Sequence, residues 1–334
     1  MPLHSRKQEE RKLNSMLKVV ELFGGIGACS KALERLGVEH EIVDYVEIDK
    51  YAVKSFNAVH GTNFEPQDIT KWDKDIKVDL IMHGSPCQDF SVAGLGKGGD
   101  KGSGTRSSLM YETLRIVEKL KPKYVIWENV KNLLSKKHRH NFDAYLEAME
   151  KLGYKNYYKV LNAKDYGVPQ NRERVFTVSF IEREREYEWP SPMPLERKLK
   201  DMLDKEVEEK YYISPAMMDY FMGVNQKPSK FPRKERFLAN INRKDQDRAN
   251  SITTNPGQRP TDNFIKVDKS VKPSVAKNFC IRKLTPKECW RLMGFDDSDF
   301  EKAEKVNSNA QLYKQAGNSI VVNVLEGILR NMEL

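Results

Sequence analysis

Cys87 stands in the stretch Gly84-Ser85-Pro86-Cys87-Gln88-Asp89-Phe90-Ser91, just after an apolar run from Val78 to Met82 that reads as a short buried strand. A thiol past a strand end, behind a proline and ahead of a glycine-rich segment, is a candidate nucleophile. A lone cysteine is more often a small buried hydrophobe, so it needs partners before it means chemistry. A free thiol with a pKa of about 8.5 is only a few per cent thiolate at neutral pH, and a working nucleophile here requires local activation.

A second candidate site lies nearer the N-terminus. Phe23-Gly24-Gly25-Ile26-Gly27 follows the first β-rich run, Lys18 to Leu22. Glycines there permit a tight turn and let a ligand approach backbone at a helix N-terminus. Glu47 ends the next strand twenty residues after Gly27, where an acidic group binds ribose hydroxyls. A dinucleotide fingerprint calls for a third glycine, and this chain has Ser30 there. An adenosine-type ligand without a pyrophosphate therefore fits better than a nicotinamide dinucleotide. Asp68, ending the following unit, is placed to meet an adenine amine.

These residues need a rigid frame, and the pattern supplies one. Strands are expected at Lys18 to Leu22, Glu41 to Val46, Val78 to Met82, Tyr124 to Trp127, Tyr157 to Leu161 and Val175 to Phe180. Helices are expected at Ala28 to Leu36, Lys50 to His60, Leu109 to Lys119 and Asn141 to Leu152. Strands alternating with helices imply an α/β fold with a parallel, doubly wound sheet, whose ligands sit beyond the carboxyl ends of the strands. From about Tyr187 prolines and charges break this rhythm. Lys227, Lys230, Arg233, Lys234, Arg236, Arg243, Lys244 and Arg248 gather there, suggesting a smaller, mostly β or irregular domain with a basic face. Ser319 to Leu329 reads as an apolar helix returning to the first domain. The expected domains are an extension at 1–16, a catalytic and cofactor-binding domain at 17–186 and 314–334, a recognition domain at 187–285 and a connecting segment at 286–313.

Composition narrows the class. With 39% hydrophobic and 31% charged residues and no run long enough to span a bilayer, a soluble protein is expected, with no membrane partner. The polar first residues lack the apolar core of a signal peptide. Cys29, Cys87, Cys280 and Cys289 show no CxxC spacing and no histidine cluster accompanies them, so neither a disulfide framework nor a metal site is expected. A reducing cytoplasm fits. The net charge of +9 favours a polyanionic partner, a weak signal alone.

Taken together, the motifs resemble one family, the DNA (cytosine-5)-methyltransferases of bacteria and phages. The ordered series is Phe23-x-Gly25-x-Gly27, Glu47, Asp68-Ile69, Gly84-Ser85-Pro86-Cys87-Gln88, Glu128-Asn129-Val130, Gln170-Asn171-Arg172-Glu173-Arg174, Arg282-x-Leu284-Thr285-Pro286-x-Glu288-Cys289 and Gly317-Asn318-Ser319. The resemblance implies a Rossmann-like sheet domain, S-adenosyl-L-methionine as methyl donor, S-adenosyl-L-homocysteine as product and cytosine in double-stranded DNA as acceptor. It implies cofactor contacts from Phe23, Gly25, Gly27, Glu47, Ile48, Asp68, Ile69, Pro86, Leu109, Asn318 and Ser319.

The same resemblance assigns catalysis to Cys87, Glu128, Arg172 and Arg174. Carbon 5 of cytosine is a poor nucleophile until a thiolate adds at carbon 6 and makes it enamine-like. Cys87 would add, Glu128 would meet ring nitrogen 3 and the exocyclic amine, and Arg174 the carbonyl oxygen, with Arg172 supporting Arg174 or Glu128. The target base must leave the stack, and Asp89 to Ser108, rich in glycine, has the composition of a loop that closes over it. DNA contacts are expected from Gln88, Ser91, Ala93, Arg106, Arg243, Lys244 and Thr253. Thr253 is chosen because Ser251-Ile252-Thr253-Thr254 resembles the family's threonine followed by an aliphatic residue, from which Thr254 departs. A monomer acting in a bacterial or phage-infected cytoplasm, beside a separately acting restriction endonuclease, completes the expectation. The competing readings are a transfer-RNA cytosine-5 methyltransferase, whose Cys-Phe-Thr segment is absent, and a DNA-binding regulator on the same scaffold.

Overall fold

β-Branched and aromatic runs separated by amphipathic segments build a six-stranded sheet in the computed structural model, which describes residues 16–86, 109–227, 229–241, 246–267 and 280–334. Its strands are β1 (Leu17–Leu22), β2 (His40–Val46), β3 (Leu80–His83), β4 (Tyr124–Val130), β5 (Lys155–Asn162) and, after the two-residue β6 (Gln170–Asn171) that pairs elsewhere, β7 (Glu173–Phe180). The order is β2-β1-β3-β4-β7-β5. The first four run parallel, and β7 is antiparallel to both β4 and β5. The expected purely parallel sheet is thus mixed at one side. Only Asn162 to Glu173 joins β5 to β7, too little chain for a crossover helix.

The helices α1 (Ala28–Arg35), α2 (Lys50–His60), α3 (Met110–Leu120) and α4 (Arg139–Lys151) lie within a residue or two of the expected spans. Strand alternation divides the sheet into two faces. Val20, Leu22, Ile81, Val125, Trp127 and Val175 point to one, where Met110, Ile116 and Val117 of α3 and Phe142, Tyr145 and Met149 of α4 complete a buried core. Glu21, Glu128 and Phe176 occupy alternate positions and point to the other. Contacts divide the chain into two units, the first taking the described residues of Met1–Asn162, Glu173–Pro192 and Ile320–Leu334.

The second unit comprises Ala163–Arg172 and Met193–Ser319. It holds α5 (Pro215–Phe221), α6 (Arg233–Ile241), the short strands β8 (Ala249–Asn250), β9 (Phe264–Val267) and β10 (Cys280–Lys283), then α7 (Pro286–Arg291), α8 (Asp297–Glu304) and α9 (Asn309–Asn318). Phe221, Phe237, Ile241 and Ile281 form one small aromatic-rich core cluster within it. The region expected to be mostly β or irregular also contains two helices. Ser214 caps the first with Pro215 at its opening position, and Pro232 immediately precedes the second. Proline at a helix start removes an amide that would have no intrahelical partner anyway, so it opens helices as readily as it breaks them. Residues 286–313, expected as a connector, form α7, α8 and the start of α9 within this unit.

The last helix, α10 (Val322–Arg330), belongs to the first unit. It buries Val322, Leu325, Ile328 and Leu329 at helical spacing, and Glu326 pairs with Arg35 of α1 at 3.0 Å.

Candidate active site

Glu128 and Arg174 come together through sheet register. Glu128 lies opposite Phe176 across the β4–β7 pair, and Arg174 opposite Val130. Residues opposite one another share a face, so Arg174 is the diagonal neighbour of Glu128 on the same side. Its Nε approaches Glu128 Oε1 at 3.0 Å, with both side chains largely buried. Its Nη1 donates to the Glu173 carbonyl at 2.7 Å. A methyl placed on Gly84 would sit 3.8 Å from Glu128 Oε2 and 3.6 Å from Ile320 Cδ1, so the segment leading to Cys87 passes directly beside this carboxylate. Cys87 itself, with Gln88, Ser91, Ala93 and Arg106 and the glycine-rich stretch expected to close over the base, lies outside the described residues. Among the other cysteines, Cys29 and Cys289 are buried, and burial pushes both thiols well above their ordinary pKa. Neither is a thiolate near neutral pH.

Beneath Gly84 the chain is pinned by groups that sequence reasoning did not assign. Ser85 Oγ accepts from Trp127 Nε1 at 3.0 Å and from Asn129 Nδ2 at 3.4 Å, and the same amide reaches the Ser85 carbonyl at 3.3 Å. Trp127 in turn stacks on His83 at a centroid distance of 5.6 Å, and His83 Nε2 shares a hydrogen bond with the Tyr145 hydroxyl at 2.9 Å. Burial holds His83 down to a pKa of about 3, so the imidazole is neutral. The signal was present as an indole and an amide flanking Glu128, but only the fold shows that they converge on Ser85.

The glycine turn at the end of β1 has the geometry its composition suggested. Gly25 has φ +57° and nothing within 4 Å of where a side chain would be, leaving that side of the turn open. Gly27 has φ +79°, and a Cβ there would fall 2.2 Å from His60 Nε2 and 2.7 Å from Phe56, so any larger residue clashes. Glu47 fastens this turn, accepting from the Gly25 amide at 3.3 Å and the Asp49 amide at 2.9 Å. Burial, reinforced by neighbouring Asp49, raises its carboxyl above the ordinary range.

Beside Glu47, Ile48 is 69% exposed, a large apolar side chain held open at the end of a strand. Asp68 is half-buried and caps the turn Ile69–Lys71 by accepting from the Thr70 amide at 3.0 Å and hydroxyl at 2.8 Å, which holds its carboxyl below the ordinary range. The side chain of Ile69 is packed into the core, where it anchors the loop. Leu109 packs against that core at the start of α3, and Pro86 is half-buried at the end of the described segment. An open glycine turn, an exposed aliphatic, a carboxylate just past a strand and a second one capping a loop turn fit an adenosine moiety.

In the second unit Thr253 is half-buried, and Asn318 and Ser319 close α9. Arg172, expected among the catalytic groups, instead directs its guanidinium at Ser251, Ile252, Gly317 and Ser319. The chain turns between β6 and β7, with the Arg172 amide bonded to the Gln170 carbonyl at 3.1 Å, so the strand alternation that would align Arg172 with Arg174 is interrupted. Arg243 and Lys244 lie outside the described residues.

An α/β protein with an open adenosine-type turn and a carboxylate–arginine pair near the end of a strand pair has the make-up of a nucleoside-dependent transferase. Comparison specifies which. The C-5 cytosine-specific DNA methylase family matches residues 17–334. The type II methyltransferase M2.ScrFI of Lactococcus lactis subsp. cremoris is 33% identical, the alignment covering 95% of this chain and 99% of the relative. The type II methyltransferase M.Bsp6I of Bacillus sp. (strain RFL6) is 34% identical over 95% and 98% of the two chains. Among solved structures, a methyltransferase of Entamoeba histolytica superposes with a TM-score of 0.72 at 20% identity, covering 95% of this chain and 98% of that one. The Dnmt2 methyltransferase of S. pombe gives 0.71 at 19%, covering 94% and 97%. The chain belongs to the C-5 cytosine-specific DNA methylase family. It methylates carbon 5 of cytosine in DNA with S-adenosylmethionine as donor.

Proposed function

We propose that Cys87 is the nucleophile and that Glu128 and Arg174 face the same cytosine ring, extruded from a specific duplex sequence. The observation that carries this reading is the 3.0 Å Glu128–Arg174 pair, with Gly84 against it three residues before Cys87. The Cys87 thiolate bonds to carbon 6, and the electrons of the 5,6 double bond move toward nitrogen 3 and the carbonyl oxygen. Glu128 donates a proton or hydrogen bond to nitrogen 3, and Arg174 neutralises charge on the oxygen while holding the Glu128 carboxyl in place. S-adenosylmethionine, when bound, would supply carbon 5 with its sulfonium methyl and leave as S-adenosylhomocysteine. Water then removes the carbon 5 proton, and the electrons returning to the 5,6 bond expel Cys87.

Phe23, Gly25, Gly27, Glu47, Ile48 and Asp68 hold the nucleoside end of the donor, Glu47 at the ribose and Asp68 at the adenine amine. Base choice resides in about 186–279, whose lysines and arginines bind phosphates while Thr253 contacts the target region. The protein acts as a monomer in the cytoplasm, its mark protecting DNA from a separate endonuclease.

Methyl transfer from labelled donor to duplex DNA and to transfer RNA tests this reading, with Cys87→Ala as the control. Label in DNA, lost in Cys87→Ala, is expected, and bisulfite sequencing of plasmid from expressing cells then maps the site. Transfer to RNA alone, or undiminished transfer by Cys87→Ala, refutes it.

A further inference from the structure

Arg172 belongs to neither strand it separates, since β6 ends at Asn171 and β7 begins at Glu173. Although only 4% exposed, it is engaged by dipoles from two distant segments. Nη1 donates to Ser251 Oγ at 3.2 Å and to the Ile252 carbonyl at 3.0 Å. Nη2 donates to the carbonyls of Gly317 at 3.0 Å and Ser319 at 2.8 Å. Gln170, two residues earlier, completes the arrangement. Its side-chain oxygen accepts from the Ile252 amide at 2.8 Å, and its nitrogen donates to the Leu292 carbonyl at 2.6 Å.

The two segments also touch directly. A Cβ on Gly317 would lie 2.4 Å from the Thr253 carbonyl carbon and the Thr254 amide nitrogen, so glycine is what lets the backbones meet.

A guanidinium has five donors in a fixed planar fork and keeps its charge when buried. Here each arm of the fork serves one segment, and movement of either leaves a buried charge poorly solvated. The two segments therefore hold one relative arrangement or lose it together.

We propose that Arg172 is a positioning residue that couples Ser251–Thr254, the segment assigned to the target DNA, to Gly317–Ser319, the segment assigned to the cofactor. This rests on the function proposed above. Occupation of one segment fixes the geometry of the other, so duplex DNA tightens cofactor binding, and the cofactor tightens DNA binding by the same factor.

Calorimetric titration of S-adenosylhomocysteine, with and without a short duplex carrying the mapped site, reads this coupling directly. In the wild type the duplex is expected to tighten binding about five-fold or more. In Arg172→Met the ratio falls toward one, and in Ser251→Ala, which loses a single arm contact, it falls part of the way. Arg172→Lys keeps the charge without the fork and is expected to behave like Arg172→Met. A purely structural role would weaken both affinities and leave their ratio unchanged. An unchanged ratio in folded Arg172→Met overturns the coupling. Should that variant not fold, unchanged ratios in both Arg172→Lys and Ser251→Ala overturn it equally. A wild type that methylates DNA with a ratio of one refutes this inference alone, whereas a wild type that transfers no methyl to DNA refutes the proposed function and this inference with it.

Discussion

Glu128 and Arg174 show why identity and spacing both matter at the catalytic pair. Arg174 offers Nε to the carboxylate while Nη1 is fixed by the Glu173 carbonyl, a two-point attachment that a lysine cannot reproduce. Arg174→Lys is expected to lower single-turnover methyl transfer by one to two orders of magnitude with little change in folding. Glu128→Gln keeps the shape but not the proton donor, and a loss of roughly 10²- to 10⁴-fold in kcat is expected, measured by label incorporation into DNA. A loss below ten-fold would remove Glu128 from the acid role. Trp127→Phe keeps the ring stacked on His83 and deletes the donor to Ser85 Oγ. One neutral hydrogen bond is worth about 1 kcal/mol, so a roughly five-fold fall in transfer rate is expected if Ser85 positions the approach to Cys87, and none if it only fills space.

The Arg282 to Cys289 motif is an architectural device rather than a chemical one. Thr285 and Glu288 form a reciprocal cap on α7, with Pro286 at its first position. The same Glu288 receives both arms of Arg282, at 2.7 and 2.8 Å, with both side chains almost fully buried. Removing one partner strands the other charge in the interior. Arg282→Met is therefore expected to cost about 3–5 kcal/mol in urea unfolding. Replacing both partners with apolar residues should recover part of that loss, because the desolvation of two ions is then avoided.

Across the molecule, two buried titratable groups shape the response to pH in opposite senses. Burial in β1 raises the Glu21 carboxyl from 4.5 to about 7, against the hydrogen bonds it accepts from the Ser30 amide and hydroxyl. A raised carboxyl pKa stabilises the fold below pH 4.5 and loses that contribution as pH climbs through 7. His83 falls from 6.5 to about 3, so its contribution is present above 6.5 and lost as pH drops through 3. Between 4.5 and 6.5 the two slopes oppose and nearly cancel, leaving a plateau with a decline on either side. Glu21→Gln should leave stability almost unchanged at about pH 4 and raise it by a few kcal/mol, on the order of 3, at about pH 8. Urea titrations at both pH values check this, and a difference independent of pH would mean that Glu21 does not titrate in the fold.

Local chemistry made much of this legible in advance. Apolar alternation marked the strands from Leu17 to Phe180, helical spacing marked α1 to α4, and glycines 25 and 27 marked a turn that only they can form. These depend on a residue and its near neighbours, which is why a linear pattern carries them. The antiparallel entry of β7, the helices begun at Pro215 and after Pro232, and the convergence of Trp127 and Asn129 on Ser85 were decided by tertiary contact. So was the fate of two arginines separated by one residue. Arg174 stays in register on β7 and meets Glu128, whereas Arg172 sits at the bend and is drawn to carbonyls some eighty and a hundred and forty-five positions away. A sequence places both in one motif, but the direction of each side chain depends on where the strand ends and which buried acceptors the distant chain delivers.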